Sequence, residues 1–159
     1  MKNVFLLVVL GALLCNASSV FAHCQVPCGI YDDKAELNAI AQHITTIEKA
    51  MTQIEALGKE GDKNYNQIVR WVNNKETHAT RIQESVQTYF LAQRVKPVSE
   101  DDAAAHAKYL EELRLLHGLI VEAMKTKQTT DLVHVANIRE FLSEFRALYL
   151  GPEGEKHSH

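Results

Sequence analysis

The sequence predicts an all-α protein, an antiparallel four-helix bundle preceded by a short N-terminal hook (residues 23–32). In four separate segments, apolar residues recur at spacings of three and four, the period of a helix with one buried face. The 159 residues include only seven glycines and three prolines, too few for the many turns of an all-β fold. The segments are joined by short connections, which favour antiparallel packing of neighbours.

Residues 1–22 have the pattern of a removable leader. Lys2 gives a short positive region, residues 4–14 form an apolar run, and Val20-Phe21-Ala22 offers small residues at the two positions that a signal peptidase reads. The apolar run is shorter than the roughly 20 residues that a membrane-spanning helix needs. We therefore expect cleavage after Ala22 and an exported protein, periplasmic or extracellular in a bacterium, with no membrane contact once the leader is gone.

The bundle is expected over residues 33–151, followed by a polar, flexible tail at 152–159. The first, second and fourth helices have acids or hydroxyls at the start and glycine or proline at the end, and the third has a start signal alone. These signals are Asp32, Asp33, Gly58 and Gly61 for the first helix; Asp62, Val95 and Pro97 for the second; a Ser99/Asp102 capping box for the third; and Thr129, Thr130, Asp131, Gly151 and Pro152 for the fourth. The expected inward face of the third helix comprises Leu110, Leu113, Leu116, His117, Ile120, Ala123 and Met124.

The bundle itself offers little chemistry. A net charge of -3 gives no reason to expect nucleic acid as a partner. The helices lack the Glu-x-x-His pairs that build metal sites inside bundles, and Glu76 and His78 are two residues apart and so do not share a helix face. The histidines expected to be surface or satisfied core residues are His43, His106, His117 and His134.

The hook reads HCQVPCGIYD, with His23 first. Cleavage would free the His23 amine, whose near-neutral pKa makes it available as a metal ligand. A metal held by that amine can take the deprotonated Cys24 amide nitrogen and the Cys24 thiolate next. Cys28 can return to the same ion because Pro27 and Gly29 favour a tight turn.

Two nitrogens and two thiolates form a planar donor set that suits Ni(II) or Cu(II), whereas zinc prefers a tetrahedral set. Simple amino-terminal copper and nickel sites have histidine third; here it is first, which favours a thiolate-rich redox nickel site. The alternative is an exported helical bundle that binds metal or a partner, with a Cys24–Cys28 disulfide. So short a disulfide loop would stabilise the fold little. The spacing alone leaves both interpretations open.

The pattern His23-Cys24-x-x-Pro27-Cys28-Gly29-x-Tyr31 resembles the hook of the nickel superoxide dismutases, and the helices resemble the four-helix subunit of that family. The resemblance implies an oxidoreductase that disproportionates superoxide to dioxygen and hydrogen peroxide, with one nickel ion per subunit cycling between Ni(II) and Ni(III). It implies metal ligation by the His23 amine, the Cys24 amide nitrogen and the sulfurs of Cys24 and Cys28. The His23 imidazole would be the axial ligand of the oxidised state.

The resemblance also implies that Tyr31 lies near the open face of the metal, where it orders water and limits the access of anions; otherwise it packs at the junction of hook and bundle. A homohexamer is implied as well. Two positions depart from the family pattern. Gln25 stands where some members have Asp, and Ala39 falls where a glutamate holds the axial histidine. His78 falls in the region of that glutamate's basic partner and is a candidate for that place.

Overall fold

The computed structural model describes residues 30–61 and 63–154, and these residues form helices joined by short turns. The elements are α1 (Asp33–Gly58), α2 (Tyr65–Glu84), a π-helix that continues it, π1 (Ser85–Arg94), α3 (Ala103–Gln128) and α4 (Val133–Gly154). α1 packs mainly on α2 and α3 on α4, and contacts of α2 with α3 and of α1 with α4 complete the bundle. The predicted all-α bundle is confirmed. None of the helices described is long and apolar enough to cross a membrane.

Side chains from every helix form one core. Its largest fully buried members are Phe90, Phe145, Leu37, Ile40, Ile44, Ile47, Met51, Ile82, Leu115, Leu116, Leu119 and Ile138. Burying each of them contributes about 1.5–3 kcal/mol. Phe90 meets Phe145 edge to face at 5.2 Å between ring centroids and so joins π1 to α4.

The predicted helix starts are confirmed for α1 and corrected for α3. The carboxylate of Asp32 accepts from the backbone N–H of Ala35 at 2.9 Å, the geometry of an N-cap. The Ser99/Asp102 capping box was wrong. Ser99 lies in the preceding turn, and Asp102 is itself the N-cap, accepting from the backbone N–H of Ala105 at 3.0 Å. Serine and aspartate are both common N-cap residues, so the sequence does not show whether Ser99 or Asp102 caps the helix.

The second predicted helix contains a change of helix type. α2 begins at Tyr65, and from Ser85 onwards the chain adopts the wider π-helix until Arg94. The helix ends where expected, at Val95, whose backbone N–H donates to the carbonyl of Phe90 at 2.8 Å.

The predicted start of the fourth helix is confirmed, and a break falls at its predicted end, although helical residues continue to Gly154. The carboxylate of Asp131 accepts from the backbone N–H of Val133 at 3.0 Å. At the other end, the helical dihedral angles break at Gly151, which has φ 67° and ψ -177°. A positive φ of this size favours glycine, so the position of the break follows from the residue type.

The predicted inward face of the third helix was partly wrong. Leu110 and Met124 are 52% and 38% exposed, and His117 is also exposed. Leu116 and Ala123 are buried as predicted, and the other buried residues of the helix are Glu112, Leu115, Leu119, Glu122 and Thr126. Hydrophobic periodicity does not place the two charged residues, Glu112 and Glu122, on the buried face of the helix. Glu122 is nevertheless buried because it accepts hydrogen bonds from side chains of α3 and α4.

A buried lysine ties α2 to the end of α3. The ammonium of Lys75 donates to the carbonyls of Thr126, Lys127 and Thr129, the latter two at 2.8 and 3.3 Å. The last carbonyls of a helix lack partners within the helix, so this lysine satisfies them. Burial lowers the pKa of Lys75, and the nearby carboxylate of Glu76 opposes this effect.

α3 and α4 approach closely at Gly118. A Cβ placed on this residue would lie 2.8 Å from the ring of Phe141, inside van der Waals contact. Any side chain here requires the Phe141 ring to move.

We expect Gly118→Ala to lower the free energy of unfolding by about 1–3 kcal/mol, because overpacking outweighs the better helix propensity of alanine. Gly58→Ala is the matched control: nothing lies within 4 Å of the added Cβ, and the change should leave stability equal or higher by up to about 1 kcal/mol. Urea unfolding of both variants tests this, and equal stabilisation by the two alanines would contradict it.

Candidate functional site

The predicted metal ligands His23, Cys24 and Cys28 lie outside the residues that the structure describes, whereas Tyr31 lies within them. Among residues 30–61 and 63–154, no group of three or more His, Cys, Asp or Glu side chains is arranged to hold a metal ion. The site is therefore approached from Tyr31, where the hook meets the bundle.

Tyr31 is packed against π1. Its hydroxyl donates to Oε1 of Gln93 at 3.1 Å, and the guanidinium carbon of Arg94 lies 4.6 Å from the centre of its ring. The ring also meets Tyr89 edge to face, with centroids 5.9 Å apart. The structure thus places Tyr31 at the junction of hook and bundle.

The carboxylate of Asp33, two residues further on, binds side chains from two other helices. Arg94 donates to both of its oxygens, from Nε at 2.8 Å and from Nη2 at 2.7 Å. The hydroxyl of Tyr89 donates to Oδ1 at 2.8 Å and that of Tyr149 to Oδ2 at 3.0 Å. Four hydrogen bonds on one carboxylate join the first turn of α1 to π1 and α4.

The pKa values in this cluster reflect that arrangement. Burial by itself would raise the pKa of Asp33, but the hydrogen bonds from Arg94, Tyr89 and Tyr149 outweigh it, and the pKa is lowered. Burial and the adjacent Asp33 carboxylate raise the pKa of Tyr149 to about 12 and that of Tyr89 further. The hydrogen bond to Asp33 raises the pKa of Arg94. The carboxylate and the guanidinium therefore stay charged, and both phenols stay neutral, near neutral pH.

The π-helix is what brings these groups together. Tyr89 and Arg94 are five residues apart and both reach Asp33. In an α-helix, residues five apart point about 140° away from each other, whereas the π-helix hydrogen bonds link i and i+5 directly. An ordinary α-helix over the same residues would direct one of the two side chains away from Asp33.

Two histidines, His43 and His78, form a pair between α1 and α2. Nδ1 of His43 and Nδ1 of His78 are 3.0 Å apart, so one ring donates to the other. Their ring planes are inclined by 67°. Burial lowers the pKa of both histidines. The charges of His78 and Arg81 lower the pKa of His43 further, and the charge of Arg81 lowers that of His78 further. The pair favours the neutral form of both rings.

The other predicted histidines have individual environments. His134 pairs with Glu122 at 2.7 Å, His106 stacks on Tyr109, and His117 is exposed. These arrangements agree with the expectation of surface or satisfied core residues.

Ala39 offers no hydrogen-bonding side chain at the position where a glutamate is expected. One turn earlier, Glu36 accepts from the hydroxyl of Ser85 at 2.5 Å. That contact lies between α1 and π1, the helix against which Tyr31 packs.

Sequence reasoning missed Gln93, Arg94, Asp33 and the His43–His78 pair. The sequence does contain a signal from which the His43–His78 pair could have been predicted. In two antiparallel helices joined by a tight turn, residues equally far from the turn lie opposite each other, and His43 and His78 are nearly equidistant from Gly61. Tyr31 and Gln93 satisfy the same relation.

A family model described as nickel-containing superoxide dismutase matches residues 18–152. No curated protein and no solved structure matches the chain. The matched range includes the hook, the whole bundle and the π-helix.

The His43–His78 pair predicts a specific loss of stability in acid. Both folded-state pKa values lie below the ordinary value of 6.5, so below that pH the unfolded chain binds more protons than the folded one. The free energy of unfolding should therefore fall as the pH drops below 6.5 towards the lowered values. Urea unfolding on either side of pH 6.5 measures this.

The double variant His43→Gln/His78→Gln should flatten the stability profile in that window, because neither glutamine titrates. The control is His117→Gln, which changes an exposed histidine and should keep the slope. If the free energy of unfolding of the double variant still fell as steeply with pH, other groups would be the cause of the acid sensitivity.

Proposed function

The chain belongs to the family of nickel-containing superoxide dismutases, and we propose that His23, Cys24 and Cys28 bind its nickel ion. It is an enzyme, an oxidoreductase that converts two superoxide ions and two protons to dioxygen and hydrogen peroxide. The observation that carries the ligand proposal is that the match spans residues 18–152 and so includes all three residues.

The chemistry of the donor set fits nickel. The His23 amine, the Cys24 amide nitrogen and the sulfurs of Cys24 and Cys28 supply two nitrogens and two anionic thiolates within six consecutive residues. Such a set suits Ni(II), and its negative charge stabilises the higher oxidation state. The lack of any other candidate cluster among the described residues supports placing the metal in the hook.

When bound, nickel supplies one-electron chemistry between Ni(II) and Ni(III), which the disproportionation requires. The amine must be unprotonated and at the chain terminus, which makes removal of residues 1–22 part of the maturation of the site. The His23 imidazole, on the same residue as the amine, provides the further nitrogen that favours the oxidised state.

Tyr31 acts beside the metal without ligating it. Its hydroxyl orders water at the site, and its ring restricts the entry of anions other than the substrate. The contacts with Gln93 and Arg94 support this role, because they hold a polar group at the end of the hook.

Residues 1–22 act as an export signal, and the enzyme works in the periplasm or outside the bacterial cell. Six subunits assemble so that neighbours cover each hook. Several large apolar side chains exposed on the single chain support assembly, among them Ile30, which directly follows the hook and is 71% exposed.

The free amine gives the sharpest test of the ligand set. One extra residue before His23 converts the amine to an amide, so superoxide consumption and the rhombic Ni(III) resonance should fall to background while the helical signal is kept. The control is the chain that begins at His23 and carries one extra residue after His159. Full turnover in the N-terminally extended chain would refute ligation by the amine.

His23→Ala separates the amine from the imidazole, because alanine keeps the first but not the second. We expect nickel to remain bound and turnover to fall by at least about 10–100-fold, since even partners outside the ligand shell have effects of that size. Nickel content by elemental analysis and superoxide consumption measure the two effects. Gln25→Ala, in the same hook but outside the donor set, should change neither, and unchanged turnover in His23→Ala would exclude the imidazole from the mechanism.

A further inference from the structure

His43 and His78 bring two ring nitrogens together between α1 and α2. Their Nδ1 atoms are 3.0 Å apart, and both rings are half-buried. Two nitrogens that bind one metal ion at about 2.0–2.1 Å, with a right angle to a tetrahedral angle between them, are roughly 2.9–3.4 Å apart. The separation of the two Nδ1 atoms therefore lies within the range of two imidazole ligands on the same ion.

Both rings are in the protonation state that binds metals. Burial and the charge of Arg81 lower the pKa of each histidine, which favours the neutral imidazole near neutral pH. In the pair, one Nδ1 carries the shared hydrogen atom and the other accepts it. When a metal ion replaces that hydrogen, the proton of the donating ring moves through water to its own Nε2. Each ring then stays neutral and offers a lone pair at Nδ1.

The two helices that carry the pair are fixed to each other on either side of it. About two turns away along both helices, the carboxylate of Glu36 accepts from the hydroxyl of Ser85 at 2.5 Å. In the other direction, the ammonium of Lys49 lies 5.9 Å from the ring centre of Trp71. Packing of the helices thus holds the two rings together, and a metal ion does not have to assemble them.

The charges around the pair act in opposite directions on a cation. The pKa of His43 is lowered by Arg81 and raised by the carboxylate of Glu36, so the first residue repels a cation and the second attracts it. Arg81 is exposed, so water and salt screen its charge, whereas Glu36 is half-buried. The surroundings therefore permit a divalent ion between the rings.

We propose that His43 and His78 form a second metal site, which takes a first-row transition-metal ion of the zinc or copper class and bridges α1 to α2. Imidazole suits these ions, whereas magnesium and calcium prefer oxygen ligands. Among the described residues no group of three His, Cys, Asp or Glu side chains is arranged around a metal position, so water takes the remaining positions of the ion. The proposal does not depend on the nickel ligands of the hook.

The first test measures zinc binding by titration calorimetry on the chain that begins at residue 23. A background variant carries glutamine or serine at the histidines and cysteines outside the helices, which are His23, Cys24, Cys28, His157 and His159. This background should bind one equivalent of Zn²⁺. His43→Gln and His78→Gln should each weaken the affinity at least about tenfold, since even partners outside the ligand shell have effects of that size.

The matched control is His106→Gln/His117→Gln, which removes two histidines that lie about three turns apart on α3. This variant of the background should keep its full zinc affinity. A background that binds no zinc would overturn the proposal, and so would equal affinity after the loss of both His43 and His78.

The second test keeps both histidines and so does not depend on how a variant folds. In ¹⁵N-labelled background protein, Zn²⁺ should shift the Nδ1 resonances of His43 and His78 and leave the proton of each ring on Nε2. The ring nitrogens of His106, His117 and His134 should not move. Long-range ¹H–¹⁵N spectra measure this, with the single variants as assignments. If the pair keeps its metal-free signals at saturating zinc, the ion is held elsewhere and the proposal fails.

The third test determines whether the ion bridges the helices. An ion that binds only the folded chain multiplies the folding equilibrium constant by 1 + [ion]/Kd, so zinc at about 100 times Kd should raise it about 100-fold. The urea midpoint of the background should rise accordingly, and that of His43→Gln/His78→Gln should not. Magnesium at the same concentration should have no effect on either. Equal stabilisation of both proteins by zinc would refute the bridge.

Discussion

The carboxylate of Asp33 joins three parts of the fold beside the hook. It stands in the first turn of α1 and accepts from Arg94 and Tyr89 on π1 and from Tyr149 on α4. Without it, one guanidinium and two phenols would lose their acceptor in half-buried surroundings, at a cost that exceeds the net gain of an ordinary hydrogen bond. This one side chain therefore holds the first turn of α1 against π1 and α4, and Tyr31, two residues before it, packs on Arg94 and Tyr89 of the same cluster.

The proposed ligands place an unusual demand on such a fold. Metal sites in helical bundles commonly take their ligands from facing helices, so that packing brings the donors together. Here all the proposed donors belong to His23, Cys24 and Cys28, so the ligand proposal does not require the bundle to assemble them. What the bundle adds is the surface on which the hook ends, and that surface is formed by π1 and the start of α1.

The features that the sequence predicted are those with local signals. Asp32 and Asp131 start their helices and Gly151 breaks the last one, because a carboxylate caps an N-terminus and glycine accepts a positive φ, whatever lies elsewhere in the chain. The features that it missed depend on partners distant in sequence. Glu122 is buried where Lys125 on its own helix and His134 and Asn137 on the next donate to it. The π-helix has no signature in its own residues, since its register is fixed by what Tyr89 and Arg94 bind.

The π-helix gives the fold a way to place adjacent residues where an α-helix would not. An α-helix over the same residues could direct either the Arg94 guanidinium to Asp33 or the Gln93 amide to Tyr31, but not both. The wider helix presents both from consecutive residues, Arg94 and Gln93, and adds Tyr89 one turn earlier. Because its hydrogen bonds are less favourable than those of an α-helix, its persistence requires compensating side-chain contacts, and the Asp33 cluster provides them. The contacts that stabilise π1 therefore also hold Tyr31 in place. The geometry of the site thus depends on the same interactions that keep this helix in the π form.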